Sequence, residues 1–190
     1  MKKVILASGS PRRKELMRGL DIDFEVDTLN DFKESIDALI DPHEVPVLMS
    51  EGKSKGFHRP LEKDEVLVTA DTVVIIDGTV LGKPHGREDA VRMLHLLSGR
   101  THEVVTAVTV RDAGRSETFS DSTLVTFAGL TDDEIASYVD RYRPFDKAGA
   151  YGVQEWIGYV GITRLEGSFY NVMGFPVHRV YEVLQKFLSL

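Results

Sequence analysis

Residues 66–81 have the sequence VLVTADTVVIIDGTVL. β-branched side chains dominate its first eleven positions, which is typical of a buried strand. Asp77-Gly78 is a two-residue turn signal, so we expect the chain to return through a second strand at Thr79 to Leu81. The stretch therefore predicts a β-hairpin, and it places the carboxylate of Asp71 within a largely apolar strand.

Helix and strand signals alternate on both sides of this hairpin. Lys3 to Ala7 predicts a buried strand, and Pro11 opens a helix that Ser10 caps. Further helices are predicted at residues 44–58 with Pro46 near the start, 87–97, 131–142 and 176–188, and further strands at 103–110, 116–127 and 159–165. Because hairpins are mixed with crossover helices, the sequence predicts an α/β fold with a mixed sheet flanked by helices.

The composition is that of a globular domain without covalent cross-links. The chain has 190 residues, 42% of them hydrophobic, and no cysteine, which excludes disulfides, zinc–thiolate sites and a thiol nucleophile. Its formal charge of −7 argues against a protein that coats nucleic acid or an anionic membrane. The apolar run Val4 to Ala7 is too short for a signal peptide, and Asp71 and Asp77 interrupt the most hydrophobic stretch. We expect a single cytoplasmic domain over residues 1–190, with no nucleic-acid or membrane partner.

A candidate anion site lies near the start of the chain. The first eighteen residues hold six lysines and arginines against one acidic residue, although the whole chain is acidic. Residues 8–13, SGSPRR, place two hydroxyls, a glycine and backbone N–H groups at a helix N-terminus beside two guanidinium groups, which suits a phosphate. The Walker pattern is absent, so a P-loop kinase or GTPase is disfavoured. The alternative is an ordinary capped helix with surface arginines.

The predicted hairpin carries a second candidate site. A carboxylate inside a buried strand needs a partner or a cation. Gly82-Lys83-Pro84 follows the hairpin and could return an ammonium to the end of the sheet where Asp71 lies. One interpretation is a structural ion pair between Asp71 and Lys83. The other is that Asp71 holds Mg²⁺ or orients water opposite the phosphate site, as phosphoryl chemistry requires.

A third candidate is the segment 146–154, DKAGAYGVQ. Its small residues let the backbone approach a ligand, and Gln154 carries a donor and an acceptor that can read a base edge. The alternative is that the glycines serve only a turn and Gln154 braces it. The six histidines form no His-x-x-x-His pair, and neither Ser8 nor Ser10 lies in a nucleophile elbow, so zinc-hydrolase and serine-triad chemistry are disfavoured.

Taken together, these motifs resemble the Maf-type nucleoside triphosphate pyrophosphatases. The resemblance rests on six blocks in order along nearly the whole chain: LASGSPRR at 6–13, ADTVV at 70–74, GKP at 82–84, LSGRTH at 97–102, DKAGAYGVQ at 146–154 and VMGFP at 172–176. It implies an elongated mixed sheet with helices in two lobes and a central cleft, of the Maf/ITPase-like kind. It also implies a divalent cation, Mg²⁺ or Mn²⁺, and hydrolysis of a nucleotide between its α and β phosphates.

The resemblance also implies roles for particular residues. Those expected to bind the substrate are Ser8, Ser10, Arg12, Arg13, Thr72 and Gln154. Asp71 is expected to act as the general base or as a metal carboxylate, and Lys83 is expected to contact phosphate. The family's acidic residue after the second strand falls on Glu34, which would share the metal with Asp71, and Asp31 is the competing choice.

A further catalytic lysine is implied within an Arg-Glu-Lys-Ala-like helix. This chain departs from that pattern, because residues 51–55 have the sequence EGKSK. The departure favours Lys53 over Lys55 without excluding the latter. A glycine inside the helix also predicts a more mobile lysine.

The substrate expected from the resemblance is a pyrimidine nucleotide. The pyrimidine branch of the family carries Ala-Asp-Thr and Gly-Ala-Tyr-Gly-x-Gln patterns, which residues 70–72 and 149–154 match. This implies hydrolysis of dTTP and UTP, or of modified pyrimidine nucleotides, in nucleotide-pool housekeeping, and a homodimer is a possible assembly. One alternative is a nucleotide-binding regulatory module that acts in septum formation or cell division through a protein partner. Another is a phosphatase or nucleotidyltransferase using the same cleft.

Overall fold

The structure, a computed structural model, describes residues 2–35 and 40–188. Within these ranges the strands are β1 (Lys3–Leu6), β2 (Phe24–Val26), β3 (Glu65–Ile76), β4 (Thr79–Leu81), β5 (Thr101–Arg111), β6 (Ser116–Phe127) and β7 (Ile162–Glu166). The α-helices are α1 (Pro11–Arg18), α2 (Glu44–Lys55), α3 (Arg87–Leu97), α4 (Asp132–Tyr142), α5 (Trp156–Gly161), α6 (Phe169–Val172) and α7 (Val177–Leu188), and a 3₁₀ turn covers Ala148–Ala150. None of the helices so described is long and apolar enough to cross a membrane.

The seven strands belong to one mixed sheet. Their order is β2-β1-β3-β5-β6-β7, and β4 pairs with β3. β1 runs parallel to β2 and β3, with Val4 opposite Phe24 and Val66. β3 and β4 are antiparallel, with Val74 opposite Leu81, and β7 is antiparallel to β6. The predicted α/β fold with a mixed sheet and flanking helices, and the predicted hairpin, are therefore confirmed.

The chain divides into two compact units. The first consists of Met1–Asp71, Thr106–Asp121 and Gly174–Leu190. Its strands β1 and the start of β3 are buried, which explains their continuous apolar runs, since parallel strands are covered on both faces. Ile5 and Leu67 form a buried cluster with Phe57.

The second unit consists of Thr72–Val105 and Ser122–Met173. One buried apolar cluster organises it, formed by the end of the hairpin, the inner faces of α3 and α4, and the segment from Ala150 to Ile157. Thr131 and Glu134 form the reciprocal capping box that the sequence predicts at the start of α4.

Some local predictions differ from the structure. Helix α2 begins at Glu44, as predicted, but ends at Lys55, three residues before the predicted end. The strand predicted at 159–165 begins only at Ile162, because the preceding residues form α5. A Cβ on Gly158 would lie 1.8 Å from the carbonyl oxygen of Val153, so the chain turns too tightly there for an extended strand. Strand β2 was not predicted, since three partly polar residues give no periodic signal. The single domain over 1–190 and the central cleft stay predictions.

Candidate active site

The predicted phosphate site is a strand–loop–helix unit at β1 and α1. Ser10 is the N-cap of α1, and its Oγ accepts a hydrogen bond from the backbone N–H of Arg13 at 3.4 Å. Ser8 is buried, and its Oγ accepts from the backbone N–H of Ser10 at 3.3 Å. A Cβ added to Gly9 would meet no described atom within 4 Å, so protein atoms leave the surroundings of this loop open. The loop therefore combines a helix N-terminus with surroundings open enough to admit an anion.

Arg13 ties this loop to the strand that carries Asp71. Its Nε donates to the carbonyl of Gly174 at 2.8 Å, and its Nη1 donates to the carbonyl of Ala70 at 2.9 Å and to Ser8 Oγ at 3.4 Å. Much of its donor capacity is thus used inside the protein. The structure places Arg13 at the predicted site, and its observed contacts hold the backbone next to Asp71 in place.

The charge around Arg13 is mixed. Burial lowers the pKa of its guanidinium from the usual value, the carboxylates of Asp71 and Glu34 oppose that shift, and the guanidinium of Arg12 adds to it. Arginine remains protonated in proteins despite such a shift. Two carboxylates and one guanidinium, from three different segments, thus influence the pKa of Arg13.

Lys53 joins two of the predicted carboxylates. Its ammonium lies 2.6 Å from Asp71 Oδ1 and 2.8 Å from Glu34 Oε1. The side chains of Lys53 and Asp71 are 20% and 18% exposed, whereas that of Glu34 is 61% exposed. We call Glu34, Lys53 and Asp71 the carboxylate–lysine cluster. Its members come from the loop after β2, from α2 and from β3.

The competing residues lie outside this cluster. Lys55 is exposed and pairs with Glu51, 3.2 Å away on the same helix. Asp31 is exposed, and its backbone N–H donates to the carbonyl of Gly56. The geometry therefore favours Lys53 and Glu34 as the site residues, and their roles stay predictions.

The carboxylates of the cluster fit a hard divalent cation. Mg²⁺ in nucleotide-processing enzymes is held by one or two carboxylates, with substrate phosphates and water as the other ligands. Asp71 and Glu34 supply two such carboxylates, and the ammonium of Lys53 already places a positive charge where they converge. No group of three or more His, Asp or Glu side chains suited to a metal occurs in the part of the chain that the structure describes. Asp71 and Glu34 would therefore supply the protein's ligands for such a cation, and substrate phosphates and water would supply the others.

The other predicted residues belong to the second unit. Thr72 is a half-buried residue of β3, and Lys83 is exposed just after β4. The ion pair observed for Asp71 is with Lys53, so the proposed structural pair with Lys83 is not what holds that carboxylate. The carbonyl of Gly82 accepts from the N–H of Gly149, which joins the loop of Lys83 to the segment 146–154.

Gln154 carries an unsatisfied buried acceptor. Its Oε1 is buried and has no hydrogen-bond partner among the described residues. A buried amide oxygen without a partner costs free energy, so it is a place where a ligand donor would bind favourably. This is the property that reading a base edge requires.

A buried polar network holds the segment that contains Gln154. The hydroxyl of Tyr138 donates to Glu155 and accepts from the backbone N–H of Gly152 at 3.0 Å. Lys147 pairs with Glu155 at 3.1 Å and with Asp146 at 2.8 Å. Burial and the carboxylate of Glu155 raise the pKa of Tyr138, so its hydroxyl stays protonated as a donor. Sequence reasoning missed Tyr138 and Glu155, because each is ordinary in its local pattern and the contact is formed only in the fold.

Comparison with known proteins bears on this site. The model of a family described as Maf-like protein matches residues 3–187. This chain belongs to the Maf-like protein family. The resemblance seen in the sequence motifs is thereby confirmed.

Curated relatives match over nearly the full chain. A Porphyromonas gingivalis protein named dTTP/UTP pyrophosphatase is 54% identical over 187 residues, covering 97% of this chain and 94% of that protein. A Bacteroides thetaiotaomicron protein of the same name is 50% identical over 184 residues, covering 97% and 95%. A third, from Phocaeicola vulgatus, is 48% identical with the same coverage.

Solved structures support the fold. The Ham1 protein of Staphylococcus aureus aligns with a TM-score of 0.51 at 15% identity, covering 98% of this chain and all of that chain. The HAM1 protein of Coxiella burnetii gives the same TM-score and coverage at 14% identity. At such identity the likeness concerns the fold alone.

Proposed function

We propose that this chain is a nucleoside triphosphate pyrophosphatase that hydrolyses dTTP and UTP to the nucleoside monophosphate and pyrophosphate. Membership of the Maf-like family and three relatives named dTTP/UTP pyrophosphatase support the proposal. The structural observation that carries it is the carboxylate–lysine cluster, in which Lys53 contacts Asp71 and Glu34 together. Such a group can bind a cation, activate water and counter phosphate charge.

The triphosphate would bind at the loop before α1. Backbone N–H groups at a helix N-terminus attract anions, and the partial positive charge of that end adds to the attraction. Ser8 and Ser10 supply hydroxyls, and Arg12 supplies a guanidinium that is partly accessible. Arg13 contributes charge while holding the carbonyl of Ala70.

The reaction replaces the bond between the α-phosphorus and the bridging oxygen by a bond to water. Asp71 accepts the proton of the attacking water, and a positioned base of this kind contributes typically ~10²–10⁴-fold. The leaving pyrophosphate gains negative charge, which Lys53, Lys83 and Arg12 stabilise. A divalent cation held by Asp71 and Glu34 would neutralise phosphate charge when bound.

Base selection is assigned to Gln154. Uracil and thymine present a ring N–H next to a carbonyl oxygen, so one side-chain amide can accept from the first and donate to the second. The buried Oε1 of Gln154 has no described partner that would compete for the ring N–H. Cytosine lacks a proton at N3, and a base that leaves this oxygen unpaired is penalised.

The competing functions gain no support. None of the relatives reported above carries a name that refers to septum formation or cell division. No observation favours a phosphatase or a nucleotidyltransferase. A cytoplasmic location and a homodimer remain expectations, and a nucleoside triphosphate is the expected small-molecule partner.

A nucleotide panel tests the proposal. Purified protein without any partner is assayed with dTTP, UTP, CTP, GTP and 7-methyl-GTP, and kcat/KM is compared alongside that of Gln154→Ala. We expect dTTP and UTP to be preferred and the variant to flatten the differences. A clear preference for 7-methyl-GTP would refute the pyrimidine assignment. Absence of turnover on every nucleotide would refute the proposed enzymatic activity and favour a nucleotide-binding module.

A further inference from the structure

Helix α2 contains a glycine next to the lysine of the cluster. A Cβ added to Gly52 would lie 2.3 Å from two ring atoms of Phe32, and one added to Gly56 would lie 2.7 Å from Phe32 Cβ. Residues four apart lie on the same helix face. We call Gly52 and Gly56 together the glycine notch. The ring of Phe32 therefore packs directly against the helix backbone, in space that the side chain of any other amino acid would fill.

Glycine at the notch lowers the stability of helix α2, and the packing of Phe32 explains why glycine is nevertheless present there. Glycine inside a helix is less favourable than alanine, because it loses more conformational freedom on folding. Considered alone, Gly52 predicts a mobile Lys53. In the structure, the aromatic ring covers the helix surface immediately beside Lys53, which argues against that mobility.

The segment around Phe32 is attached to the same turn of α2. Asn30 Nδ2 donates to the carbonyl of Lys53 at 2.6 Å, and Asn30 Oδ1 accepts from the N–H of Phe32 at 2.8 Å. The N–H of Asp31 donates to the carbonyl of Gly56 at 2.8 Å. Two hydrogen bonds to the helix, one within the segment and the contact of the half-buried Phe32 ring thus fix residues 30–32 on the helix. Glu34, two residues further on, meets Lys53.

We propose that Phe32 is a positioning residue for Glu34, acting through its ring seated in the glycine notch. The carboxylate of Glu34 is mostly exposed, so its own contact with Lys53 is weak support for a fixed geometry. The ring contact supplies that support and keeps the carboxylate close to Asp71. This inference rests on the proposed function, because it assigns a role within the same site.

Two disruptive variants follow from the geometry. Gly52→Ala drives a methyl group into the ring, and Phe32→Ala removes the ring. Each is expected to release Glu34, to lower kcat and to raise the Mg²⁺ concentration for half-maximal activity. Loss of a group that orients a metal ligand typically costs roughly 10- to 100-fold. Phe32→Leu in the Gly52→Ala background makes room for the methyl group and should restore part of the loss.

A double-mutant cycle separates positioning from general destabilisation. In a Glu34→Gln background, Gly52→Ala and Phe32→Ala should have little further effect, because the group that they position is already removed. A merely structural role predicts that the losses multiply. Gly114→Ala is the matched control, since its Cβ would approach described atoms no closer than 3.8 Å and it lies in a turn outside the site. Its activity should equal that of the unaltered protein.

Binding of Mn²⁺ in the presence of the non-hydrolysable analogue α,β-imido-UTP, followed by electron paramagnetic resonance, gives a readout independent of turnover. Gly52→Ala and Phe32→Ala should weaken Mn²⁺ binding as much as Glu34→Gln does. Unchanged binding in both, or multiplied losses in the cycle, would overturn the inference. If Gly52→Ala fails to fold, Phe32→Ala and Phe32→Leu, which introduce no clash, decide it. Failure of the proposed function would instead appear as absent pyrophosphate release in the unaltered protein.

Discussion

The ammonium of Lys53 donates a hydrogen bond of 2.6 Å to Asp71. The same nitrogen lies 2.8 Å from Glu34, so one cation holds two carboxylates from separate segments. Two of the three side chains are largely buried, and removing the cation would leave like charges facing each other. The contact between Lys53 and Asp71 therefore helps to hold the site together, and the ammonium of Lys53 also contributes positive charge to it.

Replacing Lys53 should cost far more activity than replacing its neighbour. We expect Lys53→Met to lower kcat about 10²- to 10³-fold, as loss of a charge-stabilising donor does. Lys55→Met is the matched control, because Lys55 is exposed and pairs with Glu51 alone among the ion pairs described. Steady-state kinetics with UTP measures both. Equal losses in the two variants would contradict the assignment.

Asp71→Asn should abolish turnover while leaving the fold intact. The change removes the charge and the basic oxygen but keeps the shape of the side chain in β3. The expected loss is ~10²–10⁴-fold in kcat. Circular dichroism and thermal melting provide the control for folding. A folded variant that keeps more than about a tenth of the activity would show that Asp71 is not the base.

Activity should require a divalent cation. Asp71 and Glu34 are two carboxylates that face a highly anionic substrate, and without a cation they would repel it. Excess EDTA should stop the reaction, and Mg²⁺ or Mn²⁺ should restore it. The measurement is pyrophosphate release before and after chelation. Full activity in excess EDTA would count against the metal carboxylates.

Stability should fall in mild acid because of one buried histidine. The Nε2 of His102 shares a 2.7 Å hydrogen bond with the hydroxyl of Tyr151, and burial lowers the pKa of His102 from 6.5 to about 4. Between these values the unfolded chain binds a proton that the folded protein does not, so the free energy of unfolding decreases as pH falls through that window. At pH 5 the loss is about 2 kcal/mol relative to pH 8.

Urea unfolding at pH 8 and pH 5 measures this effect. His102→Gln should remove most of the pH dependence between those values. His178→Gln is the control, because the side chain of His178 is 85% exposed. The same pH dependence in unaltered protein and His102→Gln would mean that another group is responsible.

Local chemistry made much of the fold predictable. The turn signal Asp77-Gly78 fixed the hairpin, and the pair Thr131 and Glu134 fixed the start of α4, because both act over a few neighbouring residues. The strand pattern singled out Asp71, and the family resemblance implied Glu34 and Lys53, with Asp31 and Lys55 as alternatives. Those alternatives lie on the same short segments as the favoured residues, so only the direction of the side chains distinguishes them.

Contacts between distant segments were not predictable. In the sequence, Gly52 is a weak point in a helix, whereas in the fold it gives room to Phe32. The buried hydroxyl of Tyr138 on α4 contacts Glu155 and the backbone of Gly152, and nothing in the local pattern of that helix indicates this role. Such contacts form only in the tertiary structure, so no local sequence pattern predicts them.

The proposed mechanism requires that water attacks the α-phosphorus of dTTP or UTP and expels pyrophosphate. Hydrolysis of UTP in ¹⁸O-enriched water, followed by ³¹P NMR and mass spectrometry, tests it directly. We expect UMP carrying one ¹⁸O atom and unlabelled pyrophosphate, with no orthophosphate as a primary product. Label in the pyrophosphate, or orthophosphate with UDP, would contradict it.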